Sequence, residues 1–166
     1  MFVPFETMPD RARVWIYPSK QKLTQLDREK ITTHLTEFSQ RWAAHGQPLK
    51  SSFQILFNQF IVLVADEQYN AASGCSIDDS VRAVKKLEQM GIELLNRDVV
   101  AFKKGDEIEL ISLGDLKEKY QAGIWSKDSL TFNNLVNNIG ELEKNWIVPA
   151  GKTWLNRYLP REAGAS

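Results

Sequence analysis

Six consecutive apolar residues, Phe60-Ile-Val-Leu-Val-Ala65, are the longest hydrophobic run in the chain and constrain its fold more than any other segment. Their length and β-branched content mark a strand buried on both faces, and they fall far short of the roughly 20 residues a membrane-spanning helix needs. Phe53, Ile55 and Phe57 precede them at alternate spacing, with a turn at Asn58-Gln59 between. The run therefore reads as the second strand of a hairpin.

The flanking segments extend this pattern. Residues 12–17, Ala-Arg-Val-Trp-Ile-Tyr, are β-formers that stop at Pro18, which predicts a first strand. Thr24 and Asp27 have the spacing of a capping box, and Ile31, Leu35, Phe38 and Trp42 then recur at helical spacing until Gly46 and Pro48. After a loop over 66–74, Ile77, Val81, Val84 and Leu87 mark one face of a second helix that ends at Met90-Gly91. Segments 99–102 and 107–113 flank Lys104-Gly105-Asp106, a hairpin turn signal.

Residues 12–103 thus run β-α-β-β-α-β, the order of a ferredoxin-like α+β fold, an antiparallel sheet with two helices on one face. The rest predicts an extension over 104–159 packed on that core. It contains a hairpin strand, short helices near 115–121 and 140–145, an extended piece at 130–132 and a helical turn at 154–158. Residues 1–159 read as a single domain, and 160–166 as a flexible tail.

The chain has 166 residues, enough to remove roughly 68–70% of the unfolded surface from water without a disulfide or a metal. Twenty-one basic side chains balance 21 acidic ones, which argues against nucleic acid or an anionic membrane as partner. Cys75 is the only cysteine, so no internal disulfide and no zinc site of paired cysteines can form. The first ten residues lack a basic stretch followed by an apolar core, and the lone thiol suits a reducing compartment, so a cytoplasmic location is expected. Nothing in the residue pattern calls for a cofactor.

Two constellations point to chemistry. Gly151-Lys152-Thr153 has the ending of a phosphate-binding P-loop, but the first glycine of that motif would fall on Trp146, Pro149 removes a needed amide, and 13 residues are too few to follow it. This speaks against ATP hydrolysis. Ser73-Gly74-Cys75-Ser76 places a thiol at or just before a helix N-terminus, where free amides and the helix dipole stabilise a thiolate or a bound anion. Asp78 and Asp79 in the first turn oppose a thiolate, and Ser76 or Asp78 would also serve as an ordinary cap.

The expected topology brings His45, Arg11, Arg13 and Lys103 to the same rim. Cys75 and His45 become candidate catalytic residues, and Gly74, Cys75, Ser76, Arg11 and Arg13 candidate anion contacts. His45 alone would complement a helix C-terminus. His34 has no metal-ligating residue one turn further on, so no metal site is expected. Trp125, Trp146 and Trp154 read either as core or as an exposed aromatic surface for a peptide.

Met1-Phe-Val-Pro-Phe5, Arg13-Val-Trp-Ile-Tyr17, Trp42-Ala-Ala-His-Gly46, Ser73-Gly-Cys-Ser-Ile-Asp78, Phe132-Asn-Asn-Leu-Val136 and Trp146-Ile-Val-Pro-Ala150 follow one another in an order that spans nearly the whole chain. In this order the chain resembles a bacterial family whose members often carry the label ABC transporter ATPase. The resemblance implies a bacterial cytoplasm and supplies no catalytic residue. The label itself finds no P-loop here and no Leu-Ser-Gly-Gly-Gln signature. Two functions remain as expectations. The leading one is a non-catalytic binding module that presents a face or edge to a protein, a small molecule or a second copy of the chain. The other is a small thiol-dependent or anion-binding enzyme centred on Cys75, with His45 as base.

Overall fold

The computed structural model describes residues 1–68, 72 and 74–160. In chain order they form β1 (Arg13–Pro18), α1 (Gln25–Arg41), β2 (Ala43–Ala44), β3 (Gln47–Pro48), β4 (Lys50–Leu56), β5 (Phe60–Asp66) and α2 (Gly74–Gln89). Then come β6 (Val99–Lys104), β7 (Glu107–Ser112), α3 (Leu116–Gln121), β8 (Leu130–Phe132), α4 (Ile139–Asn145) and β9 (Ile147–Pro149). The result is a mixed α+β protein with antiparallel sheets. Among the described residues no helix is long and apolar enough to cross a membrane.

The chain divides into two compact units, Met1–Leu95 with Leu135–Glu143, and Asn96–Asn134 with the residues from Lys144 onward. The expected boundary at 103 therefore falls inside a strand, β6, of the second unit. Because the chain passes from one unit to the other three times, no single Gly- or Pro-rich linker marks the division.

In the first unit β5 is central, antiparallel to β1 on one side and to β4 on the other. Every residue of β5 is buried, as six successive apolar side chains require when alternate residues point to opposite faces. Ile61 and Leu63 join Ile31 and Leu35 of α1 and Val84 and Leu87 of α2 in one cluster. The capping box of α1 is present: Thr24 Oγ1 accepts from the Asp27 amide at 3.1 Å, and Asp27 Oδ2 accepts from the Thr24 amide at 3.0 Å.

The order β1-β5-β4 reproduces three positions of a ferredoxin-like sheet, but the fourth strand is missing from it. The segment expected to fill that place, β6, belongs to the second sheet. Two short pieces bond to the free edge of β1 instead. Leu95 N–H donates to Pro18 O at 2.8 Å at one end, and Val14 N–H donates to Asn137 O at 3.0 Å at the other. The opposite edge, on β4, pairs with the first residues: Val3 N–H donates to Ser51 O at 2.9 Å, and the Met1 ammonium donates to the carbonyls of Ser39 and Leu49. Both sheet edges are thus bonded along part of their length, which limits edge-to-edge association.

The second unit is built on the sheet β7-β6-β8-β9. The β6–β7 hairpin turns at Gly105-Asp106, with Gly105 at φ 63, as the turn signal predicts. Its core is Phe102, Ile111, Leu116, Trp125, Ala150 and Leu155. Trp125 is 1% exposed, donates its indole N–H to Leu116 O at 2.8 Å, and packs on Phe102, Tyr120 and Tyr158.

Candidate functional site

The rim around Cys75 belongs to the first unit. Helix α2 begins at Gly74, and both Gly74 and Cys75 are exposed, whereas Ser73 lies outside the described residues. Ser76 is inside the helix and buried, so it does not stand before the first turn as a cap would, and its carbonyl accepts the Trp42 indole N–H at 2.8 Å. The buried stripe of α2 runs through Ser76, Ser80, Ala83, Val84 and Leu87, which leaves Ile77 and Val81 at its margin.

His45 is not at a helix end. Helix α1 stops at Arg41, and Trp42 is already extended at ψ 130, its ring held in the core between Phe38 and Trp15. The chain then makes the tight hairpin β2–β3, whose two central residues, His45 at φ 53 and Gly46 at φ 76, both have the left-handed backbone a type I′ turn requires. His45 is exposed there, and no hydrogen bond joins it to Cys75 among the described residues.

Arg11 and Arg13 lie at the start of β1, opposite the end of β5, where the topology led us to expect them. Their charges are already answered. Arg11 sits 3.6 Å from the buried carboxylate of Asp66 and also bonds Gln68; Arg13 pairs with Glu67 at 3.4 Å and lies over the Trp15 ring at 4.8 Å. Two neutralised cations offer little to an incoming anion. Lys103 belongs to the second unit. Among the described residues no group of three or more His, Cys, Asp or Glu side chains could hold a metal.

The second unit carries an open groove of about 1100 Å³. One wall is the turn Ser126-Lys127-Asp128-Ser129, closed by the Ser129 N–H to Ser126 O at 3.1 Å, which puts Lys127 and Asp128 at its tip. Adjoining it is the 3-10 turn Ala150–Lys152 that follows β9. The two are clamped: Ala150 N–H donates to Ser129 O at 2.7 Å and Gly151 N–H to Lys127 O at 2.8 Å. Gly151 is required here, because a Cβ on it would lie 2.9 Å from Lys127 Cβ. Tyr120, Pro149 and Leu159 supply apolar surface, and Tyr120 rests on the buried Trp125 with ring centroids 5.1 Å apart.

Arg157, on the following 3-10 turn Trp154–Tyr158, completes the groove. Its guanidinium lies over the rings of Trp154 and Tyr158, at 5.1 and 5.2 Å from their centroids. Lys127, Lys152 and Arg157 set against Asp128 leave the lining with a net charge of +2, three cations less one carboxylate. No ion pair neutralises these three cations among the described residues, in contrast to Arg11 and Arg13.

Of the three tryptophans expected as core or as a binding surface, Trp125 and Trp146 are 1% and 3% exposed and only Trp154, at 51%, reaches solvent. Trp146 stacks on Phe132 and donates its indole N–H to Asn134 Oδ1 at 2.8 Å. Sequence reasoning passed over Tyr120, Lys127 and Arg157, and weighed Lys152 only as the end of a phosphate-binding loop. One local signal was available: Arg157 and Tyr158 follow Trp154 by three and four residues, which sets an aromatic-cation cluster on one short helical turn.

Gly151-Lys152-Thr153 forms no phosphate-binding loop. Thr153 Oγ1 donates to Ala150 O at 2.7 Å and accepts from the Leu155 amide at 3.1 Å, and a five-residue 3-10 turn follows in place of a long helix. Compared with protein-family models, with curated proteins and with solved structures, the chain matches none.

Proposed function

We propose that this chain is a non-catalytic binding module of the bacterial cytoplasm whose ligand seat is the groove of the second unit. The compartment follows the resemblance drawn from the sequence. The first unit is read as a ferredoxin-like core whose fourth strand has been replaced by two shorter pieces. The observation that carries the functional reading is Trp154: a half-exposed indole, stacked by Arg157, beside an open groove lined by three cations that form no ion pair among the described residues. Aromatic and arginine side chains dominate the energetics of protein interfaces, because they bury large areas at low entropic cost and bond at their edges.

Affinity capture from a bacterial lysate tests this, with the wild-type chain and the double variant Trp154→Ala/Arg157→Ala immobilised side by side. Proteins retained by the first and lost from the second are the expected result. Identical retention by both would remove the groove from the account.

A second reading, a thiol-dependent enzyme centred on Cys75, is favoured by one observation, the exposure of that thiol in the first turn of a 16-residue helix. It gains nothing from His45, which forms no hydrogen bond with the thiol, or from Arg11 and Arg13, whose charges are engaged.

A further inference from the structure

We infer that the occupant of the groove is an extended acidic segment of polypeptide; the inference rests on the reading of the groove as a ligand seat. Charge complementarity is the first argument. The chain as a whole is neutral, 21 cations against 21 anions, so the +2 of the lining is a local concentration and not part of a general basic field. Lys127 and Lys152 stand on adjoining turns that are bonded to each other, and Arg157 lines the same groove, so a segment laid along it meets three cations gathered on one surface. Arg157 is pre-positioned by its two ring contacts, which lowers the entropy lost when it bonds a carboxylate.

The apolar part of the lining sets the rest of the specificity. Pro149, Leu159 and Pro160 present aliphatic surface between the charges, suited to proline or aliphatic residues spaced among acidic ones. A nucleic-acid strand fits less well. It would need aromatic faces for successive bases, and the described lining supplies one ring, Tyr120, with the exposed Trp154 beside it. The volume of about 1100 Å³ and the open form of the groove suit several residues of extended chain better than a small anion.

The test is selection from a random dodecapeptide library displayed on phage, panned against the full chain. The wild type is expected to enrich peptides of net charge −2 or below, with proline or aliphatic residues between the acidic ones. Synthetic copies should bind roughly two- to fivefold more weakly to Lys127→Gln or Lys152→Gln. They should also weaken as ionic strength rises from 0.05 to about 0.5 M. Lys152→Glu, on an exposed side chain whose loss leaves the fold intact by circular dichroism, brings the lining to a net charge of zero and should abolish the enrichment of acidic peptides.

Enrichment of neutral peptides that still depend on Trp154 and Arg157 would overturn the acidic ligand and leave the binding module standing. Enrichment that ignores every groove variant, or no enrichment at all, would overturn both. Tighter binding of a labelled oligothymidylate than of any selected peptide, or a dimer of the chain that dissociates on Lys152→Glu, would assign the groove to a different occupant and overturn the inference.

Discussion

Replacing Trp125 by phenylalanine probes the floor beneath the groove. The indole is buried and donates its N–H to Leu116 O at 2.8 Å. That carbonyl lies in the first turn of α3, where a main-chain N–H can also reach it, so losing the indole bond costs the net value of a hydrogen bond, about 0.5–1.5 kcal/mol, and not a full desolvation penalty. The smaller ring also withdraws two carbons from contact with Phe102, Tyr120 and Tyr158, at about 0.8 kcal/mol each. The sum is about 2–3 kcal/mol, which for a chain of this size lowers the melting temperature by roughly 4–12 °C. Guanidinium unfolding followed by near-ultraviolet circular dichroism measures it, with Trp154→Phe as the control. The exposed ring of Trp154 should cost less than about 0.5 kcal/mol. Equal costs for the two substitutions, or a Trp125→Phe variant as stable as the wild type, would refute the placement of Trp125 as the core of this unit.

Gly151→Ala forces a Cβ to 2.9 Å from Lys127 Cβ and should destabilise by about 1–3 kcal/mol while moving the Lys127 amide resonance; an unchanged melt and spectrum would contradict the close approach of the two turns. Burial pushes the Tyr17 phenol up from its ordinary value, with its hydrogen bond to Ser80 acting the other way. The folded state then favours the neutral phenol. This contribution is complete below about pH 10 and is lost as the pH rises through that value towards the higher folded one. The difference in urea midpoint between the wild type and Tyr17→Phe should therefore shift between pH 8 and pH 11, and a constant difference would contradict it. Cys75 is exposed, so iodoacetamide should label it stoichiometrically in the folded chain without denaturant, and protection from labelling would show that the thiol is covered.

Local signals carried the elements well. Thr24 and Asp27 gave the start of α1 because a capping box is complete within four residues, and the run 60–65 gave β5 because its composition leaves no exposed face. What sheet a strand joins is not local. Residues 99–104 have the composition of a strand in either place, and only their pairing with β7 and β8 assigns them to the second unit. The end of α1 was misread for a related reason. Gly46 and Pro48 do interrupt the helix, but Trp42 leaves it earlier, to place its ring in the core and its N–H on Ser76.

The groove was hardest to see. Lys127 and Lys152 are 25 residues apart and meet only through the clamp between Gly151 and Lys127, in segments whose composition reads as ordinary loop. The aromatic residues gave a partial signal, since periodicity marks large rings as core or surface without distinguishing Trp125 from Trp154.

The measurement that tests the central claim most directly is an amide and indole chemical-shift titration of the full chain with a selected acidic peptide. The account predicts saturable shifts at the amides of Lys127, Gly151 and Arg157 and at one indole N–H, that of Trp154, while the indoles bonded within the protein, Trp42, Trp125 and Trp146, stay in place. Shifts gathered instead around Gly74, Cys75 and Ser76 would contradict it and return the site to the start of α2.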